Sequence, residues 1–115
     1  MPREPRTPQR ELHDAYDALY RRLDDAYWVA TTIEDKDRIR GAATAVFDLM
    51  TSLNQADLRA RASDMLSLTE AMGVVNQRLA RLRQDIDRIV LVIRVAGELT
   101  RAIDGVVSRA AQFAA

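Results

Sequence analysis

Hydrophobic side chains recur at every third or fourth position over residues 65–110 of the chain. A helix with this repeat buries a narrow apolar seam against other helices. The pattern therefore predicts one long helix over residues 56–111, with Thr100 as the polar exception in its seam. The seam positions are Met65, Leu68, Met72, Val75, Leu79, Leu82, Ile86, Ile89, Ile93, Ala96, Thr100, Ile103, Val107 and Ala110.

The first half of the chain shows the same repeat in two shorter stretches. We predict a first helix over residues 8–31, with Thr7 as its N-cap, and a second helix over residues 34–53. Thr32, with Asp35 three positions later, resembles a capping box at the start of the second helix. The expected core positions are Leu12, Tyr16, Leu19, Leu23, Ala26 and Ala30, followed by Ile39, Ala43, Val46, Phe47, Met50 and Leu53.

These elements predict an all-α fold in which a helical hairpin packs on one long heptad-patterned helix, as a helical bundle or coiled coil. A straight third helix would be roughly 80 Å long, so the shorter helices would cover only part of it. The alternative is a compact four-helix bundle with a break near Gly73 or Gly97. We favour the long helix because the repeat passes both glycines without a phase shift. Residues 1–7 are expected to form a flexible arm before a single helical domain, 8–115.

The seam changes character along its length. Charged and amide side chains border it around Leu79 and Leu82, whereas over residues 89–99 the helix is apolar on almost every side. A helix that is apolar all round is surrounded by other helices. We therefore expect subunits, or folded-back helices, to meet near Ile93. The predicted interface comprises Leu79, Leu82, Ile86, Ile89, Val92, Ile93, Ala96, Leu99, Ile103 and Val107.

Composition limits the classes of function. The 115 residues are 48% hydrophobic and 30% charged, with a formal net charge of zero. Balanced charge argues against a general nucleic-acid binder, which needs excess positive charge. The absence of cysteine excludes disulfides and thiolate metal sites. No apolar run is long enough to predict a transmembrane segment. Residues 1–8 also lack the apolar core of a secretory signal, so we expect a cytoplasmic protein.

No arrangement of side chains predicts catalysis, a cofactor or a metal. His13 could share a metal with Asp14 or Asp17, but the paired Glu-x-x-His motifs of di-metal helical bundles are missing. The acidic residues at positions 34, 35 and 37 lie where negative charge stabilises a helix N-terminus. The sequence also lacks a nucleophile elbow and a Gly-rich phosphate loop. We therefore predict that the chain is not an enzyme.

A local basic stripe lies on the predicted third helix, and acidic residues interrupt it. Asp85 follows Arg81 by four positions, and Asp87 follows Arg83 by four, so ion pairs within the helix are expected. This spacing favours a solvated, paired surface over a site for an acidic partner. The arginines of the stripe are Arg78, Arg81, Arg83 and Arg88.

Aromatic side chains cluster on the first helix, at Tyr16, Tyr20, Tyr27 and Trp28. They form a candidate partner-binding patch, because aromatic residues concentrate at the hot spots of interfaces. The alternative is that they pack in the core against the other two helices, where Phe47 would meet them.

These observations favour a non-enzymatic, self-associating helical interaction protein, such as a structural, adaptor or chaperone-like subunit. It would act through helix packing along the seam of residues 65–110. The expected partner is a second copy of the chain, forming a homo-oligomer, or another helical protein. The alternatives are an amphipathic binder of membrane or granule surfaces and a regulatory nucleic-acid-binding module.

Overall fold

The computed structural model describes residues 7–56 and 62–114, and it confirms the all-α class. This part of the chain contains four helices: α1 (Pro8–Val29), α2 (Ile33–Gln55), α3 (Ala62–Ile89) and α4 (Ile93–Ala114). The bounds of α1 and α2 agree with the predicted ones to within two residues at each end. The expected arm falls almost wholly outside the described residues, as does the junction before α3.

The prediction of one continuous third helix is wrong. The chain leaves helical geometry at residues 90–92 and resumes it at Ile93, so the seam is divided between α3 and α4. The compact four-helix alternative is therefore correct in outline, but the break is at neither of the two predicted glycines. Gly73 and Gly97 both lie inside helices. Folding back at residues 90–92 leaves Ile89 0% and Val90 2% exposed.

The four helices run alternately up and down around a common core. α1 packs against α2 and α4, and α3 packs against the same two helices from the opposite side. Two ion pairs between helices fit this antiparallel arrangement. Arg22 on α1 contacts Glu98 on α4 at 3.1 Å, and Arg38 on α2 contacts Asp85 on α3 at 2.6 Å. Across the diagonal, the Tyr16 hydroxyl donates a hydrogen bond to Asn76 Oδ1 at 2.7 Å.

Every helix contributes one apolar face to the core, as the helical repeat predicts. The face of α2 is rotated from the one we expected, because Ala42 and Leu49 are buried while Ala43 is only half-buried and Phe47 is 52% exposed. The largest fully buried side chains are Tyr16, Leu12, Leu19, Leu23, Ile39, Leu53, Leu79, Leu82, Ile86, Ile89, Leu99 and Ile103.

The ends of α1 and α2 are satisfied by specific side chains. Thr7 Oγ1 accepts from the Arg10 amide at 3.2 Å, and Thr32 Oγ1 accepts from the Asp35 amide at 3.1 Å, which confirms both predicted N-caps. Lys36 Nζ donates to the Tyr27 carbonyl at 2.6 Å, near the end of α1. These bonds fix where α1 begins and how it turns into α2.

Candidate interaction surface

Two chain reversals lie at the same end of the bundle. Residues 30–32 form the α1–α2 corner, and residues 90–92 form the α3–α4 corner. Because neighbouring helices are antiparallel, both corners fall at the end where α1 and α3 finish and α2 and α4 begin. The pairing of Arg22 with Glu98 fixes this register between α1 and α4.

Large apolar side chains at this end remain exposed to solvent. The exposed fractions are 71% for Trp28, 78% for Ile33, 65% for Leu91, 42% for Val92 and 88% for Ile93. We call these five residues the corner face. Such grouping of exposed apolar side chains on one end of a small domain is typical of an association surface.

Charges of both signs border the corner face. Glu34 is exposed in the first turn of α2, whereas Arg88, in the last turn of α3, and Arg94, at the start of α4, carry positive charge. Their side chains are 70% and 74% exposed, although Arg88 contacts Asp85 and Arg94 contacts Glu98. Exposed charged side chains of both signs therefore lie close in the chain to the residues of the corner face.

The structure distributes the predicted interface between core and surface. Seven of its members are buried in the chain's own bundle and are therefore not available to a second subunit in this structure. The buried members are Leu79, Leu82, Ile86, Ile89, Ala96, Leu99 and Ile103. The exposed members are Val92, Ile93 and Val107. Since α4 buries Val106, in place of Val107, the seam predicted for a straight helix does not describe the buried face of α4 throughout.

The predicted aromatic patch is also divided. Tyr16 is 0% exposed and belongs to the core, so it does not form part of a surface patch. Tyr20 and Tyr27 are half-buried, and Trp28 is the member that joins the corner face. The Tyr27 and Trp28 rings meet edge to face with centroids 5.3 Å apart. Sequence reasoning missed Ile33 and Leu91, because no local pattern marks a residue left exposed by a corner.

A groove between α1 and α2 holds the rest of the aromatic cluster. Tyr20 and Phe47 lie across it with ring centroids 5.9 Å apart, so the expected contact with Phe47 forms, but at the surface. Arg40 Cζ lies 4.2 Å from the Tyr27 ring centroid, and Lys36 Nζ lies 4.8 Å from it. The groove encloses a cavity of about 250 Å³. The protein's own cations therefore already lie over the Tyr27 ring of this groove.

The pKa of Tyr16 departs clearly from its ordinary value because the side chain is buried. Removal of the Tyr16 hydroxyl from solvent by burial raises its pKa from 10.0 to about 12. The phenol is thus kept neutral as a donor to Asn76 Oδ1. Its role is to join α1 to α3 across the core.

Two charged residues of α3, Arg83 and Asp85, contact neighbouring helices, which differs from the pairing expected within α3. Arg83 contacts Asp104 on α4 at 2.6 and 3.0 Å, and Asp85 contacts Arg38 on α2. The hydrogen bond from Arg38 lowers the pKa of the Asp85 carboxyl, and the hydrogen bond from Arg83 lowers that of Asp104. These exposed pairs set the register of neighbouring helices and do not resemble a binding site.

The described residues contain no group of three or more acidic, histidine or cysteine side chains arranged to hold a metal ion. His13 Nδ1 lies 3.6 Å from Asp14 Oδ1. Within residues 7–56 and 62–114, no helix has both the length and the apolar character needed to cross a membrane.

Comparison with family models, with curated proteins and with solved structures finds no match to this chain. The physical properties of the corner face therefore carry the functional interpretation.

Proposed function

We propose that the chain is a non-enzymatic helical interaction protein of the cytoplasm that associates with a second copy of itself through the corner face. The observation that carries the proposal is the exposure of Ile93, Ile33 and Trp28, three large apolar side chains that lie at the same end of the bundle. Burying an aliphatic side chain of this size stabilises an association by about 1.5–3 kcal/mol. A central tryptophan is also a common hot spot of protein interfaces.

The charged border supports a second copy as the partner. A two-fold interface is self-complementary, because each surface patch meets the same patch of the other copy. In such an interface Arg88 and Arg94 of one copy would pair with Glu34 of the second copy. A surface with both signs around an apolar centre suits this arrangement better than it suits an anionic membrane or a nucleic acid.

The test compares two leucines of nearly equal exposure. One lies near the start of α3, and the other lies in the α3–α4 corner that follows its end. Leu91 is 65% exposed on the corner face, and Leu66 is 63% exposed in the first turns of α3. Light scattering over a concentration series should show a dimer for the wild type and for Leu66→Asp. Leu91→Asp should remain a monomer with unchanged helicity.

Two results would contradict the proposal. The wild type staying monomeric at the highest concentrations would remove self-association, and equal effects of both substitutions would remove the corner face as its surface. Flotation of the wild type with anionic vesicles, lost in Leu91→Asp, would instead reassign the corner face to membrane binding.

A further inference from the structure

We infer that the chain self-associates by exchanging α4: in the dimer the α3–α4 corner straightens, α3 and α4 become one continuous helix, and each α4 packs into the bundle of the second copy. This inference rests on the proposed function, because it specifies how the corner faces of two copies come together. It assigns the second copy a defined segment, Ile93–Ala114.

Apart from Arg88 in the last turn of α3, the α3–α4 corner lacks the local signals that normally stop a helix. Residues 90–92 are Val-Leu-Val, with no glycine, proline or capping residue. Val92 supplies the carbonyl that accepts the first bond of α4, from the Ala96 amide at 2.9 Å, but its side chain has no hydrogen-bond acceptor. The first turn of α4 also contains no acidic residue. Little in the local chemistry therefore opposes a continuous helix.

No described residue, in either corner or elsewhere, adopts a positive φ angle. The backbone of the α3–α4 corner therefore stores no left-handed strain, and no residue in it requires the conformational freedom of glycine. Straightening requires only that residues 90–92 enter the ordinary right-handed helical region. Leucine at position 91 has a favourable helix propensity, and the two valines carry only a modest penalty.

The hydrophobic repeat favours the form in which α3 and α4 make one continuous helix. Ile86, Ile89 and Ile93 continue one seam at the spacing of a single helix, yet Ile93 is 88% exposed in the folded-back chain. In a continuous helix Ile93 returns to the line of Ile89. Two such helices cross at their midpoints around a two-fold axis, where Leu91, Val92 and Ile93 meet their counterparts.

Exchange preserves the contacts that stabilise α4. In the folded-back chain α4 is held by Arg22 to Glu98 at 3.1 Å and by Arg83 to Asp104 at 2.6 Å. In the exchanged dimer the same pairs form between copies. The only contacts that change are those at the corner, where exposed apolar side chains become covered. Such exchange of an identical element is a low-cost route to a dimer.

Crosslinking distinguishes exchange from simple docking of two closed bundles. The chain has no cysteine, so pairs introduced at contacting positions report without background. Arg22→Cys with Glu98→Cys reports on α1–α4, and Arg38→Cys with Asp85→Cys is the matched control on α2–α3. A short bis-maleimide suits these positions better than a disulfide, because arginine–carboxylate pairs span a longer distance than a disulfide does.

Each variant is refolded at high and at low concentration, separated by gel filtration, crosslinked and analysed on a denaturing gel. Exchange predicts that, in the dimer fraction, the α1–α4 pair joins two chains while the α2–α3 pair stays within one chain. Arg83→Cys with Asp104→Cys on α3–α4 should behave like the α1–α4 pair, which provides a second readout if one variant folds poorly. A dimer in which all three pairs crosslink within one chain would overturn exchange and leave the proposed function standing. A monomer at every concentration would overturn both.

A second measurement uses the corner itself. Position 93 is the first residue of α4, where proline is well tolerated because the amide has no intrahelical partner. In a continuous helix the same proline removes a hydrogen bond and clashes with the preceding turn. Ile93→Pro should therefore reduce the dimer fraction at least tenfold more than Ile93→Ala, although alanine removes more apolar surface than proline does. Equal effects of the two substitutions would show that α3 and α4 do not form one continuous helix in the dimer.

Discussion

The α1–α2 and α3–α4 corners reverse the chain at the same end of the bundle, but different interactions hold them. At the α1–α2 corner Thr32 caps α2 with a 3.1 Å bond, and Lys36 reaches back to the Tyr27 carbonyl. At the α3–α4 corner Val92 offers no side-chain acceptor, and Ile89 and Val90 are buried beside it. One turn is specified by neighbouring residues, whereas the other depends on what the two helices bury.

This difference explains why the first corner was predictable and the second was not. A capping residue acts within one helical turn, so it is visible in the sequence. Burial of Ile89 depends on the positions of all the other helices, and the seam alone is equally consistent with a straight helix. Four substitutions or titrations test the comparison, beginning with the largest expected effect.

Aspartate at position 89 should have the largest effect on stability. Ile89 is 0% exposed, so Ile89→Asp places an unpaired carboxylate in the core and should cost roughly 4 kcal/mol or more. Ile93 is 88% exposed, so in protein dilute enough to be monomeric Ile93→Asp should change the free energy of unfolding by less than about 0.5 kcal/mol. Urea unfolding followed by circular dichroism measures both. Similar midpoints for the two variants would mean that the corner is not folded back at residues 90–92.

Ionisation of Tyr16 should have the next largest effect, because its bond to Asn76 joins α3 to α1. The folded pKa is about 12 and the unfolded value is 10.0, so folding favours the neutral phenol. This contribution is fully present below pH 10.0 and is lost as the pH rises towards about 12. The loss is about 2–3 kcal/mol.

Chemical unfolding of the wild type and of Tyr16→Phe at pH values from roughly 8 to roughly 12 measures this contribution. The stability advantage of the wild type should shrink as the pH rises, because phenylalanine has no proton to lose. A constant difference between the two proteins would show that Tyr16 does not titrate with folding.

Removal of the Thr32 hydroxyl should have a moderate effect on the α1–α2 corner. Thr32→Val leaves the Asp35 amide without its acceptor and should cost about 1 kcal/mol. Thr32→Ser retains the oxygen and serves as the control. Hydrogen exchange of the first turn of α2 should rise in Thr32→Val alone. Unchanged exchange would indicate that packing, and not the cap, holds this corner too.

The converse substitution, which adds a cap at the α3–α4 corner, should have the smallest effect on stability. It should stabilise the protein, whereas the preceding substitution destabilises it. Val92→Thr keeps the branched shape and adds an acceptor at the N-cap position of α4, so it should stabilise the folded-back monomer by roughly 0.5 kcal/mol. Thermal unfolding of dilute protein measures the gain. A loss of stability would mean that the Val92 side chain contributes more by its apolar contacts than a cap can add.

Several details of the surface could not be derived from sequence spacing. Arg83 was expected to pair with Asp87 on its own helix, yet it contacts Asp104 on α4. A residue one turn away can be counted along the chain, whereas a residue on a neighbouring helix requires the register between helices. For the same reason Phe47 was assigned to the core but is 52% exposed: a small rotation of α2 exchanges the positions at the edge of its buried face.

The candidate surface was predictable only in part. The sequence indicated that chain segments meet near Ile93, and the α3–α4 corner lies there. It also indicated Trp28 as a member of an aromatic patch. It did not indicate that Ile33 from one corner and Leu91 from the other share an end of the bundle, because their grouping follows from the antiparallel packing of all four helices.

By itself, the sequence determined that the described chain is helical, where α1 and α2 lie and which residues cap them. These properties follow from the hydrophobic repeat and from hydrogen bonds within one turn. Only the tertiary structure decided that the seam of residues 65–110 divides at residues 90–92 and leaves Ile93 in solvent. The physical reason is that local preferences there differ by fractions of a kcal/mol, whereas the burial of several large aliphatic side chains against α1 and α2 contributes several times more.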